Sequence, residues 1–386
     1  MEKIMATLAR ETKGKSYNTL KYSFDSIGLP SIDYENESDK VMKWKDVAET
    51  APKKQSTDMK PMAEKIATTI PLISYFLDGS RHAYKVDDIG YGNQVFPVVA
   101  GQIGVGCCKR TNGKMSSEKF NYGVIIALPD KSNADGWDDT PYFKARTQKL
   151  NNHEFLRNLG ISISAIKPYS TSSTIERSKL EDRGIAVIQD SMIESEKRMV
   201  QELVAQGKLN QENFLLKDGS LEYKEMGSGD KDLRSLLKIK NNYNWVIGVS
   251  KSFNPESCMD HKGKPNASYI VDLPLYHRTP VAKFESIFLK DIQFAIWYVR
   301  LRRKEITATP FDGVVKVEKI LITKKELESG IDTELVDLIS ANIVNERNPT
   351  CYGADLRWAN HLYPVYLTEC YIKSKYISTK MFLSLF

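Results

Sequence analysis

The stretch Ile73-Ser74-Tyr75-Phe76-Leu77-Asp78-Gly79-Ser80-Arg81 narrows the choice of fold more than any other part of the chain. Its apolar, aromatic run has strand character and ends in a carboxylate followed by turn residues. The same pattern returns as Phe214-Leu215-Leu216-Lys217-Asp218-Gly219-Ser220-Leu221. Two strand-to-Asp-Gly-Ser junctions set two carboxylates where strands end, and open α/β sheets gather their site groups at such places. Either junction alone is equally a common turn dipeptide. The repetition favours a shared site.

A chain of 386 residues suits two domains or one elaborated α/β domain, and 41% hydrophobic with 27% charged residues is ordinary globular composition. The net charge of +6, from 55 basic and 49 acidic residues, permits a polyanionic partner without demanding one. Arg300, Arg302, Arg303 and Lys304 gather behind the aromatic run Phe294 to Tyr298 and read as a solvated helix end, where cations are favoured. Five cysteines with no CxxC pair suggest neither a disulfide framework nor a zinc ribbon, so a reducing cytoplasm is expected. No apolar stretch approaches the ~20 residues that span a bilayer, and Met1 to Lys15 lacks a secretory core. No membrane partner is expected.

Residues 1–69 are polar and lysine-rich, an N-terminal arm or helical preface with a short helical pattern at Met62 to Ile66. Ala83 to Val86, Val95 to Val105 and Tyr122 to Leu128 read as antiparallel strands broken by Gly90-Tyr91-Gly92-Asn93 and Asn112-Gly113. A polar insertion, 130–173, holds a loop, a helix within Tyr142 to Leu159 and a strand at Ile161 to Ile166. Ser173 to Glu176 and Ser191 to Glu194 both match a capping box, so a helix starts at either or is interrupted near Gly184. With Met192 as zero and about 100° per residue, Ile193, Met199, Val200, Leu203 and Val204 share one arc, and Glu196 falls inside it. Glu194 and Glu202 project elsewhere. A charge on a core face is costly unless paired or bound to metal.

Downstream, Leu233 to Lys240 is a short mixed segment, and Asn244 to Lys251 is a buried strand that delivers Lys251 at its end, where it can neutralise a phosphate. Tyr269 to Leu273, Phe294 to Leu301 and Gly313 to Ile322 read as strands, the second also compatible with a helix, and Lys324 to Ile343 as a helical stretch. In the segment Cys351 to Pro364, His361 stands just before Tyr363-Pro364, which starts a helix over Val365 to Lys373. The tail, 376–386, ends in an apolar stretch, Met381 to Phe386, suited to a terminal strand or a docking tag.

The ordered set Asp78, Glu196, Asp218, Lys251 and His361 with Tyr363-Pro364 resembles the NurA nuclease family over residues 70–375. The resemblance implies an α/β fold with a ribonuclease H-like mixed sheet flanked by helices, related to the nuclease domain of Argonaute proteins. It implies a domain that cuts DNA from its ends with manganese or magnesium, forms a homodimer, and works with HerA, a hexameric DNA-translocating ATPase. Asp78 and Asp218 match the family's strand carboxylates and His361 its metal-site histidine. The helical glutamate is Glu196 by periodicity, although Glu202 lies nearer Asp218 in sequence. Asp78, Glu196, Asp218 and His361 are then the expected metal ligands, and Arg81, Lys251 and Tyr363 the expected contacts to substrate.

Carboxylates with one imidazole suit Mn²⁺ or Mg²⁺ rather than zinc, and two such ions about 3.5–4 Å apart serve phosphodiester hydrolysis. The long preface and polar insertion suggest, by analogy alone, a specialised member acting in end processing or in defence against foreign DNA. A second expectation is a non-catalytic DNA-binding or motor-docking scaffold, in which the four ligands fail to converge or one is tied into a salt bridge. A sugar-kinase or ATPase-type fold is disfavoured because no GxxxxGK[ST] loop is present.

Overall fold

The computed structural model describes residues 4–17, 19–24, 42–53, 55–133, 136, 138–172, 177–222, 239–260, 262–286, 292–307, 309–349 and 359–386. The capping box at 173–176, most of the segment 233–240 and the stretch 351–358 lie outside the described residues. The first 69 residues supply α1 (Ile4–Glu11), β1 (Lys15–Ser16), β2 (Tyr22–Ser23), β3 (Met42–Val47), β4 (Thr57–Asp58) and α2 (Lys60–Ile66). They are tied into the body of the protein: α1 buries Ile4, Met5 and Leu8, β1 and β2 pair with the strand after α2, and β3 ends the sheet's main path.

Three long strands follow, β5 (Ile73–Tyr91), β6 (Gln94–Thr111) and β7 (Lys114–Pro129), paired antiparallel in sequence order. Asn112 and Gly113 join the last two with φ of 51° and 74°, the left-handed pair that a two-residue hairpin turn requires. The expected strand end at Asp78 is not there. β5 runs on through Asp78-Gly79, in register with Gly106 and Val105 of β6. Gly79 serves close approach instead of a turn, because a Cβ there would collide with the carboxylate of Glu196.

The insertion forms α3 (Asp139–Asn151), α4 (Glu154–Leu159) and β8 (Ala165–Tyr169), the last parallel to β7 and later in the chain than the expected strand. α5 (Arg177–Ala205) passes through Gly184 without a break; that glycine lets the helix lie against Val99 of β6. β9 (Phe214–Asp218) then pairs parallel to β5, and β10 (Val246–Ser250) parallel to β9. The order β7-β6-β5-β9-β10, with two antiparallel and two parallel junctions, is the ribonuclease H-like sheet.

α6 (Ala267–Val271) stands where a strand was expected at Tyr269 to Leu273. After it, β11 (His277–Arg278), β12 (Ala282–Ser286), β13 (Gln293–Arg300) and β14 (Val314–Leu321) extend the sheet beyond β10 by antiparallel pairing. β13 is a strand, so the basic cluster is not a helix end. Arg300 is buried and donates to the carbonyls of Ile270 at 2.8 Å and Pro310 at 3.1 Å.

The expected single helical stretch after β14 is two helices, α7 (Lys324–Ser329) and α8 (Thr333–Val344), parted at Gly330 with φ of 81°. α9 (Tyr363–Lys373) and α10 (Thr379–Ser384) close the chain. The terminal apolar residues form neither strand nor exposed tag. Phe382, Leu385 and Phe386 are fully buried, with Phe382 stacked on Tyr84 at 4.4 Å. Burying each such side chain contributes about 1.5–3 kcal/mol. No helix among the described residues is long and apolar enough to cross a membrane.

Strand alternation divides the core into layers. Tyr75, Leu77 and Leu215 pack with Met199, Val200 and Leu203 of α5, whereas Phe76, Leu216 and Val249 pack with Ile339 of α8 and Val365 of α9. Near the centre of the sheet, α5 covers one face and α8 with α9 the other.

Candidate active site

The same alternation decides which charged residues can meet. Asp78 follows Phe76, Asp218 follows Leu216 and Lys251 follows Val249 by two residues each, so all three point to the α8–α9 face. Lys251 Nζ lies 2.8 Å from Asp218 Oδ2. Gly219, at φ of 82°, makes the true turn of the second Asp-Gly junction. That turn is fixed from below, since the Glu318 carboxylate accepts from Ser220 Oγ at 2.9 Å and Leu221 N at 2.8 Å.

Helix α9 reaches this face because β6 offers it no side chains at two positions. Ile372 lies where a Cβ on Gly104 or Gly106 would stand, and Gly106 is the cross-strand neighbour of Asp78. This close seat brings Glu369 to the cluster. His361 Nε2 is 3.1 Å from both Lys251 Nζ and Glu369 Oε2, and Lys251 Nζ is 4.0 Å from Glu369 Oε2. Asn360 holds the lysine's backbone, donating from Nδ2 to the Lys251 carbonyl at 2.7 Å.

The electrostatics follow from burial and crowding. Burial first, then the Asp218 charge, pushes Asp78 well above the usual aspartate range, with Lys251 pulling the other way. Burial alone would lower Lys251, but Asp218, Asp78 and Glu369 outweigh it and raise its pKa. The hydrogen bond from His361 holds Glu369 far below the usual glutamate range, against the effect of burial. Lys373, 2.5 Å away, adds to this. At the rim, Tyr363 and Tyr366 stack at 6.4 Å, and Tyr366 meets His361 edge-on at 5.8 Å.

Glu196 is buried, only 3% exposed, but on the opposite face. It packs over Gly79 and pairs with Lys217 at 3.3 Å; Lys217 neighbours Asp218 on β9 and therefore points the other way. Burial raises the Glu196 pKa and Lys217 opposes it. Arg81 shares the parity of Gly79 and donates to Gln189 of α5 at 2.6 Å. Glu202 pairs with Lys119. The structure thus brings together Asp78, Asp218, Lys251 and His361, with Tyr363 at the rim, and leaves Glu196, Glu202 and Arg81 on the α5 side.

Glu369 is the residue that sequence reading missed. Its signal was the one applied to Glu196: it lies four residues after Val365 and three before Ile372, both buried on α9.

Among the described residues, no three carboxylate, imidazole or thiol side chains stand in metal-ligating geometry. The Lys251 ammonium stands between Asp218, Glu369 and His361, at the point that their donors make favourable for a cation. Oxygen donors from Asp78, Asp218 and Glu369 with one imidazole nitrogen suit a hard divalent ion once that ammonium moves aside. Further, Nδ1 of His361 is buried without a hydrogen-bond partner, so the ring has an unused nitrogen.

No family model matches the chain, and no curated protein matches it in sequence. Among solved structures, that of the NurA nuclease from Sulfolobus solfataricus aligns at 9% identity over 88% of this chain and 83% of its own, with a TM-score of 0.39.

Proposed function

We propose that this chain is a divalent-metal-dependent deoxyribonuclease of the NurA kind, hydrolysing phosphodiester bonds at DNA ends. The observation that carries this reading is the convergence of Asp78, Asp218, Glu369 and His361 around the Lys251 ammonium on one face of a ribonuclease H-like sheet. Mn²⁺ or Mg²⁺, as one or two ions, would be held by Asp78, Asp218, Glu369 and His361. Such ions polarise the phosphoryl group and favour attack by water.

The chain's own residues then divide the remaining work. Lys251, displaced from the carboxylates, neutralises a non-bridging phosphate oxygen. Asn360 restrains the lysine backbone so that only its side chain swings. Glu369 keeps the His361 ring oriented through Nε2. Tyr363 and Tyr366 offer ring faces to a base beside the scissile bond. In this assignment Glu369 takes the helical carboxylate's place expected of Glu196.

A HerA-like hexameric ATPase partner, a homodimer, a cytoplasmic setting and a role in end processing or defence against foreign DNA follow from the family resemblance alone. A non-catalytic scaffold is the second reading, favoured by the buried Glu196–Lys217 pair, which ties up one expected ligand. End-labelled linear DNA incubated with Mn²⁺, Mg²⁺ or chelator separates the two. Metal-dependent degradation lost in Asp78→Ala, Asp218→Ala and Glu369→Gln, but kept in Glu196→Gln, supports the nuclease with Glu369 as ligand. Wild-type protein that binds DNA or the motor yet cuts nothing under any of these conditions is a scaffold.

A further inference from the structure

An open cleft of about 920 Å³ lies between the end of β13, α2 and the C-terminal end of α8. Lys60, Arg302, Arg303 and Arg347 line it against two carboxylates, Asp58 and Glu346. Among the described residues, only Glu346 of these two acids is neutralised by a cation outside the cleft, which leaves Asp58 against four basic residues. Glu346 is held by Arg110 at 2.8 Å, and Asp58 accepts the Lys60 backbone N–H at 2.9 Å. Arg303 and Arg347 are exposed, and among the described residues neither has an ion-pair partner. Arg300, two residues from Arg302, shows the contrast, since its guanidinium is spent on core carbonyls.

The cleft is joined to the carboxylate cluster by short backbone links. Leu301 and Arg302 donate to the Gly313 carbonyl at 2.6 and 3.2 Å. The Gly313 N–H donates to Asn360, whose amide holds Lys251. On the other wall, the Arg347 carbonyl accepts from Tyr363 N at 2.7 Å, two residues beyond His361. Two exposed guanidinium groups with no ion-pair partner among the described residues, flanked by Lys60 and Arg302 beside the carboxylate cluster, favour an extended anion, and guanidinium forks match phosphate oxygens in pairs.

We propose that this cleft is a phosphate track, in which Arg302, Arg303, Arg347 and Lys60 bind the backbone of a DNA strand whose end enters the cluster. The identity of the ligand rests on the deoxyribonuclease reading; the track itself is tested separately from catalysis. Binding of a short fluorescein-labelled single strand is measured in chelator, by anisotropy, for wild type and for Arg303→Ala combined with Arg347→Ala. Each lost phosphate contact flattens the slope of log affinity against log salt by about 0.7, so a fourfold rise in salt weakens the wild type about sevenfold more than the variant.

A second arm uses thymidine 5′-p-nitrophenyl phosphate, too small to reach the cleft, with Mn²⁺. The variant is expected to cleave it at the wild-type rate while degrading a long strand more slowly. Should wild type cleave neither substrate, the nuclease reading fails and the salt slope still decides the track. Equal affinity and equal slope in the two proteins would overturn the proposal, as would equal loss of both cleavage activities in a variant with an unchanged melting temperature. Polyglutamate binding that needs both arginines, with no DNA binding, would reassign the cleft to an acidic protein.

Discussion

Lys251→Met tests whether the ammonium stands in for a metal ion. The side chain is nearly buried, 2.8 Å from Asp218, and its charge also acts on Asp78 and Glu369. Removing one partner of a buried pair costs roughly 3–5 kcal/mol, because the other charge is left uncompensated. With an unfolding entropy of about 2.1 cal/mol/K per residue, a chain of 386 residues loses roughly 4–6 °C in melting temperature. In chelator the variant should therefore melt well below wild type. Mn²⁺ at about 100 times its Kd returns about 2.7 kcal/mol, and the variant should recover most of the lost interval. Wild type gains less, since its ammonium must first be displaced. Differential scanning fluorimetry over a Mn²⁺ titration reads both effects. If the variant melts with wild type in chelator, or Mn²⁺ lifts both proteins equally, the cation position has been misassigned.

Other consequences follow from burial and close packing. The raised pKa of Asp78 means that the folded state keeps a proton that the unfolded chain releases above the ordinary value of 3.8; in chelator, stability then falls as pH rises from there toward the folded value. Asp78→Asn removes that fall and should stabilise the metal-free protein at neutral pH by about 0.5–2 kcal/mol, read by urea unfolding at several pH values. Gly79→Ala drives a methyl group into the Glu196 carboxylate and should cost about 1–3 kcal/mol in the same measurement; an unchanged midpoint would mean that α5 shifts freely on the sheet. Among the described cysteines, iodoacetamide should label Cys370, which is exposed, and spare Cys258, whose thiol burial pushes up to about 12. Mass spectrometry of the native protein decides it.

Local signals read the turn after Asp218 correctly and misplaced the one after Asp78. Asp-Gly is turn chemistry in both places, and at Gly219 the chain does turn. At Gly79 the hydrogen bonds to β6 and the space needed by Glu196 keep the chain extended, and neither is visible within a window of nine residues. The order β7-β6-β5-β9-β10 likewise depends on pairings between segments far apart in the chain. By contrast, the Asn112-Gly113 turn and the Lys251 strand are local matters, and both stand where the sequence put them.

Helical periodicity has a limit that Glu196 and Glu369 expose together. It reports that a carboxylate faces apolar neighbours, and both residues do. It cannot report which side of a sheet the helix covers. Strand parity supplies the missing half: Lys217 and Asp218 are adjacent on β9 and must point to opposite faces. Glu196, paired with Lys217, therefore packs on the α5 face, although its charge still acts on Asp78 and Asp218, whereas Glu369 lies beside Lys251 on the face of Asp218. A buried glutamate on α5 and a half-buried one on α9 are alike by periodicity, and the lysine each one meets, Lys217 or Lys251, tells their faces apart.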